Sequence, residues 1–299
     1  MNNEGLKAEF ENWKAALEEV EQSGVLPDPR FNYGYFINNV ETRVGAQNQK
    51  VGISQTFPWL GKLKLKEEAS MAIANMARQR YESAKVRLFD DVKQTYFDYY
   101  YLGKAITITA ENRDLLSSFV AIARSKYESG VAIYADLLKA QVELDKMDDR
   151  LDTLQERIPS MVAKLNASLS RAPDATLPLP KEIQRIESKI NLSELRAELG
   201  KSNPDLLMIE YFEKKEQVGI EIAKKEYYPN VTLGLDVVDT SDSLMSEVSE
   251  NGKDAVMVGF SVNLPIWRNK LKAGVSEARN RRNAAQRTRV DLENRLYAS

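Results

Sequence analysis

Carboxylate pairs such as Asp90-Asp91 and Asp148-Asp149 are the residues whose type and spacing could carry acid–base chemistry. They have no helpers. The 299 residues include no histidine and no cysteine, which removes the commonest metal ligand, the usual general base near neutral pH and any thiolate or disulfide framework. No glycine-rich phosphate loop lies near either pair. Both sit in helical patterns and read as solvated face charges, so the chain is not expected to be an enzyme, and no catalytic, cofactor-binding or metal residue is assigned. The run Tyr96-Phe97-Asp98-Tyr99-Tyr100-Tyr101 has the composition of a ligand cage. Successive positions point all round a helix, however, and packing among neighbouring helices accounts for the run without a ligand.

The remaining polar residues of interest lie in four segments of strict alternation. In the first, Phe31, Tyr33, Tyr35 and Ile37 oppose Asn32, Gly34 and Asn38, with Phe36 the one exception. In the second, Val51, Ile53 and Phe57 oppose Gly52, Ser54 and Thr56, with Gln55 breaking the apolar row. The third sets Val231, Leu233, Leu235 and Val237 against Thr232, Gly234 and Asp236; the fourth sets Val256, Val258, Phe260, Val262 and Leu264 against Met257, Gly259, Ser261 and Asn263. Such alternation places one face in an apolar medium and the other in a polar one. Each segment runs roughly 9–12 residues, longer than the usual soluble strand and close to a bilayer-crossing length. Two readings stay open: hairpins lying on helices, or barrel strands shared among protomers, since four strands cannot close a barrel alone. The small polar residues suit a water-filled lumen. On that reading Asn32, Gly34, Ser54, Thr232, Asp236, Gly259, Ser261 and Asn263 face the lumen, and Phe31, Tyr33, Tyr35, Val258, Phe260 and Val262 face lipid. Asp236, and Arg30 at a strand end, are the charges able to set an ion preference.

The elements holding these strands occur twice. Val51-Gly52-Ile53-Ser54-Gln55-Thr56-Phe57-Pro58 returns 207 residues later as Val258-Gly259-Phe260-Ser261-Val262-Asn263-Leu264-Pro265. Each copy leads into a Lys-Leu-Lys helix start, at Lys62-Leu63-Lys64 and Lys270-Leu271-Lys272. Pro29–Tyr35 likewise aligns with Pro229–Leu235. A period of about 200 residues is far longer than a solenoid unit. It describes a duplicated helix–hairpin–helix domain whose second copy stops incomplete at Ser299. From Gly61 to about Glu128 apolar residues recur every three or four positions without a proline, and at 1.5 Å per residue that helix would reach ~100 Å. A second helical run, Ala135 to Ser170, contains Pro159, an expected kink or break. Gly130 turns the chain between them, making a long antiparallel coiled-coil hairpin.

The expected organisation is therefore mainly α with β hairpins, in two tandem repeats. Residues 1–171 form the first repeat, with a helix, strands at about 29–41 and 49–58, and a helical hairpin at about 61–171. Residues 172–192 are a proline-containing linker, and 193–299 an incomplete second repeat with a helix, strands at about 230–239 and 255–265, and the start of a long helix. The loop at Thr42–Asn48 is short and polar; that at Asp239–Lys253 is longer and rich in Ser, Asp and Glu. Charge is balanced, with 42 basic against 44 acidic residues, so there is no basic excess to recruit nucleic acid. No run of 18 or more apolar residues provides a membrane-crossing helix. The first residues carry no signal-peptide pattern, and the abrupt ends read as a piece of a longer chain.

The most specific stretches are Leu26-Pro27-Asp28-Pro29, Ser54–Lys62 with its Phe57-Pro58-Trp59-Leu60-Gly61-Lys62, Tyr127-Glu128-Ser129-Gly130 followed by Asp136–Ala140, and Tyr228-Pro229-Asn230-Val231. Together they resemble the TolC-like outer-membrane efflux channels, the outer-membrane factors of tripartite efflux systems. The Phe-Pro-Trp-x-Gly-Lys form looks most like the branch paired with heavy-metal efflux pumps. The resemblance covers essentially the whole chain, and it implies a homotrimer in which four transmembrane-type strands per chain complete a 12-stranded barrel and a helical tunnel. It implies a passive duct in the outer membrane and periplasm of a Gram-negative bacterium, in contact with outer-membrane lipid and served indirectly by an inner-membrane pump. It also implies that Gly130, Val131, Ala132, Ile133 and Tyr134, at the hairpin tip, contact a periplasmic adaptor (membrane fusion) protein. Gate residues and a lipid-attachment cysteine have no counterpart in this stretch. The alternative is a soluble periplasmic coiled-coil scaffold or adaptor without pore activity, which would leave the duplicated alternating hairpins without a task.

Overall fold

The computed structural model describes residues 2–183, 191–245 and 247–298. Residues 184–190 of the expected linker lie outside the described residues. The elements are α1 (Glu4–Ser23), β1 (Arg30–Thr42), β2 (Gly45–Phe57), α2 (Lys62–Glu128), α3 (Tyr134–Ser168), α4 (Leu192–Ser202), α5 (Pro204–Lys225), β3 (Val231–Thr240), β4 (Ala255–Val262) and α6 (Arg268–Ala298). They group into two compact units, residues 1–10 with 81–195 and residues 11–80 with 196–299, whose boundaries fall inside α1, α2 and α4.

The second unit holds the sheet. Its four strands form an antiparallel meander in the order β1-β2-β3-β4, so the β1–β2 and β3–β4 hairpins pair through β2 and β3. β2 starts at Gly45, directly after a two-residue turn. The polar run Gln47-Asn48-Gln49 therefore belongs to the strand and not to a loop, its backbone pairing with both neighbours. Irregularities between Tyr35 and Val40, and between Gln47 and Gln49, offset the register near this end. β4 stops at Val262, and beyond it Asn263 bonds Asn230 through both its N–H and its Oδ1.

A buried lysine ties the base of the sheet to its helices. Lys62, 3% exposed, donates from Nζ to Asn230 Oδ1 at 3.1 Å and lies 3.3 Å from Glu226 Oε1. The same Asn230 oxygen accepts the Trp59 N–H at 3.2 Å, and the Trp59 ring stacks on Tyr228 with centroids 5.0 Å apart. Asn203 caps α5 by accepting from the N–H groups of Asp205 and Leu206, ahead of Pro204 in the first turn. Gln286 of α6 donates to Glu213 of α5 at 2.6 Å, joining those two helices.

In the first unit, α2 and α3 are bridged by Arg113 Nε to Asp148 Oδ1 at 2.9 Å. That hydrogen bond, a second to Asp114 and their charges hold the Arg113 guanidinium above its already high ordinary value. Pro159 lies inside α3 and does not end it; the helix is continuous from Tyr134 to Ser168. The proline-rich segment after α3 is clipped down by side chains. Fully buried Asn166 donates from Nδ2 to the carbonyls of Pro173 and Ala175, at 3.2 and 2.7 Å. Tyr99 donates its hydroxyl to Leu177 O at 2.9 Å, and burial pushes its pKa up. The aromatic run thus spreads around α2, with Tyr99 buried and Tyr101 open to solvent.

Candidate functional site

The sheet presents two chemically different surfaces. Residues directly opposite in antiparallel strands point to the same side, so register sorts the side chains. One face carries the rows Phe31–Ile53–Leu235–Val258 and Tyr33–Val51–Val237–Val256. Nearer the helices it carries Gln55–Leu233–Phe260, then Phe57–Val231–Val262; nearer the turns, the row is Tyr35–Gln49–Asp239. All eight residues of the first two rows are exposed, with Phe31 at 70% and Val258 at 79%. From the Phe57 row to the Tyr35 row is eight residues of strand, ~27 Å at about 3.4 Å per residue. A mainly apolar band of that height, interrupted by Gln55 and edged by Gln49 and Asp239, with Tyr33 and Tyr35 at one margin and Trp59 and Trp267 beyond the other, is close to the dimensions of a lipid-facing belt. Monomeric soluble proteins rarely leave so large a contiguous patch open.

The opposite face is small and polar. Its rows are Arg30–Ser54–Gly234–Gly259, Asn32–Gly52–Asp236–Met257 and Thr56–Thr232–Ser261, with Gly34 opposite Lys50. The sheet thus gathers seven of the eight lumen candidates on one face, while Asn263 stands past the end of β4 with its side chain engaged by Asn230. Thr56 and Thr232 share a hydroxyl–hydroxyl hydrogen bond of 2.8 Å across the strands. Asp236 does not present a bare charge. Lys50 Nζ lies 3.0 Å from its Oδ2, so the local field is that of an ion pair. Lys50 had no signal in the sequence, because its partner is far along the chain and the two meet only through the β2–β3 register.

The hairpin tip is built by backbone hydrogen bonds. Gly130, at φ +74, lets its N–H reach Tyr127 O at 3.0 Å while the Val131 N–H reaches Lys126 O at 2.9 Å, the paired bonds of a Schellman cap. A Cβ at Gly130 would meet open space, so the backbone turn is the glycine's task there. Val131, Ile133 and Tyr134 are exposed, and the rings of Tyr134 and Tyr127 pack with centroids 5.6 Å apart. Ile133 occupies the N-cap position of α3 with extended backbone and gives no side-chain hydrogen bond to it. Where a serine or aspartate would stabilise the helix, the chain displays an aliphatic side chain.

The carboxylate pairs are not assembled into a site. Asp90 and Asp91 are exposed on α2, and Asp148 is occupied by Arg113.

Residues 2–171 match the family of outer membrane efflux proteins. The chain belongs to the outer membrane efflux protein family. It is 22% identical over 184 residues to the fusaric acid resistance protein FusA of Burkholderia cepacia, an alignment covering 61% of this chain and 35% of that protein. Its fold is similar to that of the outer-membrane channel OprN, with a TM-score of 0.81 at 16% identity over 97% of this chain and 68% of that one. It is similar as well to the outer membrane protein VceC of Vibrio cholerae, with a TM-score of 0.80 at 16% identity over 99% of this chain and 74% of that one. At such identities the structures bear on the fold alone: a mainly helical efflux-protein fold with one four-stranded antiparallel sheet. The chain spans about a third of the length of its relative FusA.

Proposed function

We infer that this efflux-family chain is a wall segment of a passive exit duct, crossing the outer membrane and periplasm of a Gram-negative bacterium within a tripartite efflux or type I secretion system. The observation that carries the reading is the two-faced sheet, apolar and exposed on one side and lined with glycine, serine and threonine on the other. Among the described residues, its edge strands β1 and β4 have no partner on their outer sides. Strand edges in that state seek partners. Since the four strands alternate in direction, β4 of one copy would run antiparallel to β1 of the next. Three copies then supply twelve strands, an even number as closure requires, with the belt against lipid and the polar rows around water.

Such a duct needs no acid–base group. Solute would move down the gradient that an inner-membrane pump maintains, and passage would depend on the width and polarity of the wall. Gly259 and Ser261 leave the wall thin, and a Cβ at Gly259 would meet nothing within 4 Å. The exposed Val131-Ala132-Ile133-Tyr134 tip would receive a periplasmic adaptor protein.

Conductance of the protein in a planar bilayer tests this. Stable openings are expected, with Gly259→Trp and Ser261→Trp reducing unit conductance without reducing insertion. Failure of the folded protein to insert would return the chain to a soluble scaffold.

A further inference from the structure

The six helices divide by the charge of their first turns. α1, α3, α4 and α5 each carry an acidic residue there, Glu4, Asp136, Glu194 and Asp205, as the positive end of a helix dipole favours. α2 and α6 have none. They open instead on Lys62-Leu63-Lys64-Leu65-Lys66 and Arg268-Asn269-Lys270-Leu271-Lys272, which place cations where the dipole repels them. These are the two helices that leave the sheet directly from a strand. Because β2 and β4 flank β3, the two helices follow strands about 10 Å apart.

Helix stability does not account for these lysines, and neither does ion pairing. Some helical lysines elsewhere are matched by a carboxylate three residues earlier, as in Lys7–Glu4, Lys14–Glu11 and Lys146–Glu143. Lys62 is buried against Glu226 and Asn230, but Lys64, Lys66, Lys270 and Lys272 are exposed, with no ion pair among the described residues. Their surroundings continue the apolar belt. Between its last row and the two helices stand Leu60, Ile266 and Trp267, at 82%, 63% and 73% exposure. Amphipathic aromatic rings followed by unpaired cations match a bilayer interface, where hydrocarbon gives way to phosphate.

We propose that this collar binds anionic phospholipid headgroups in the leaflet facing the helices, with Lys64, Lys66, Lys270 and Lys272 meeting the phosphates and Trp267 seated at the hydrocarbon boundary. The proposal rests on the sheet being a membrane-embedded wall. It adds that the two copies of the Lys-Leu-Lys motif set the depth and lipid preference of that wall. The cations that the helix dipole disfavours become favourable once phosphate lies between them.

Flotation of the purified protein with vesicles separates the two claims. Neutral phosphatidylcholine vesicles report the apolar belt; vesicles with about 20 mol % phosphatidylglycerol report the collar, each basic residue near such a surface contributing about fivefold to partitioning. The wild type is expected to float with neutral vesicles and to partition at least about tenfold more strongly into anionic ones, the gain vanishing in about 0.5 M salt. The variant combining Lys64→Gln, Lys66→Gln, Lys270→Gln and Lys272→Gln should lose that gain, while floating with neutral vesicles like the wild type and keeping its helical circular dichroism. Equal wild-type partitioning into both vesicles, or a variant that retains the anionic preference, overturns the collar and leaves the belt intact. A variant that no longer self-associates in neutral vesicles would assign the lysines to a subunit contact and overturn it as well. A wild type that ignores neutral vesicles overturns the membrane-wall reading, and the collar with it.

Discussion

The Asp236 carboxylate lies across Gly52: a Cβ added to the glycine would stand 2.0 Å from Asp236 Oδ1. The two residues are direct partners across β2 and β3, and the second carboxylate oxygen reaches Lys50 at 3.0 Å. Gly52→Ala must therefore push Asp236 off its ion pair and crowd the Leu235 carbonyl, 3.3 Å from the new carbon. The expected cost is about 1–3 kcal/mol, the range for overpacking, read as a lower denaturant midpoint. Gly259→Ala, where the Cβ meets nothing, should change stability by less than about 0.5 kcal/mol. If crowding of Asp236 is the cause, Gly52→Ala will cost much less in an Asp236→Ala background.

The turn-side end of the sheet has a stricter glycine. Gly45 sits at φ +135, and a Cβ there would lie 1.6 Å from the Ser241 carbonyl oxygen. Backbone cannot swing aside as a side chain can. Two backbone hydrogen bonds hold the β3–β4 connection against the first hairpin here, Ser241 N–H to Ala46 O at 2.8 Å and Gly252 N–H to Val44 O at 2.7 Å. Gly45→Ala should release that connection, at about 1–3 kcal/mol for the strained backbone, and protease should then cut within residues 241–254 while leaving the strands intact.

The same connection should loosen in acid. The hydrogen bond and charge of Lys253, with a smaller contribution from Arg43, hold the Glu250 carboxyl below its ordinary value of 4.5. With the folded value depressed, the unfolded segment binds more protons as pH falls. The contribution is thus fully present above about pH 4.5 and lost as pH drops through the folded value. Amide exchange around Glu250 and Lys253 should accelerate below that point, and Lys253→Gln should flatten the dependence.

The two-sided sheet is legible in the chain because the pleat has a period of two, which keeps Val258 and Phe260 off the face of Gly259 and Ser261 whatever the fold. The long helix from Lys62 to Glu128 is legible for a similar reason, through apolar spacing uninterrupted by proline, and the efflux family through its junction and tip motifs. Register is not legible. Lys50 meets Asp236 only after the irregularity between Gln47 and Gln49 offsets the pairing, and one residue of slip would put different side chains opposite. The start of β2 hides in Gln47-Asn48-Gln49, which are polar throughout and carry no alternation. Pro159 illustrates the converse, since a breaker in the sequence is tolerated where the turns on either side keep their hydrogen bonds.

Asn166 is the hold of α3 on the proline-rich segment. Asn166 is fully buried, and its Nδ2 serves two carbonyls, those of exposed Pro173 and half-buried Ala175. Asn166→Ala removes both hydrogen bonds, each contributing about 0.5–1.5 kcal/mol where water can reach the carbonyl. A loss of about 1–3 kcal/mol is expected from the pair, with faster cleavage in residues 172–183. Asn166→Asp should be worse, because it removes the donor and faces carboxylate oxygen toward the same carbonyls. Tyr99→Phe, which removes one hydroxyl from Leu177 O, should cost only about 0.5–1.5 kcal/mol.

Ile133 separates stability from docking. It holds the N-cap position of α3 at φ −86 and ψ 152, the backbone of a capping residue, and its carbonyl accepts the Asp136 N–H at 3.1 Å, yet it has no side-chain oxygen to offer the other first-turn N–H groups. Replacing it with serine or aspartate would supply the missing acceptor, and a good N-cap contributes about 1 kcal/mol. Aspartate would add a favourable interaction with the helix dipole. Ile133→Ser and Ile133→Asp are therefore expected to raise the stability of the hairpin, visible as slower amide exchange in the first turns of α3. If the tip receives an adaptor through its apolar residues, the same variants should weaken adaptor binding, and Ile133→Leu should preserve it without the gain in stability. Stabilised variants that bind as tightly as the wild type would show that Ile133 lies outside the contact. Variants with no gain in stability would mean that the cap position is already satisfied by water.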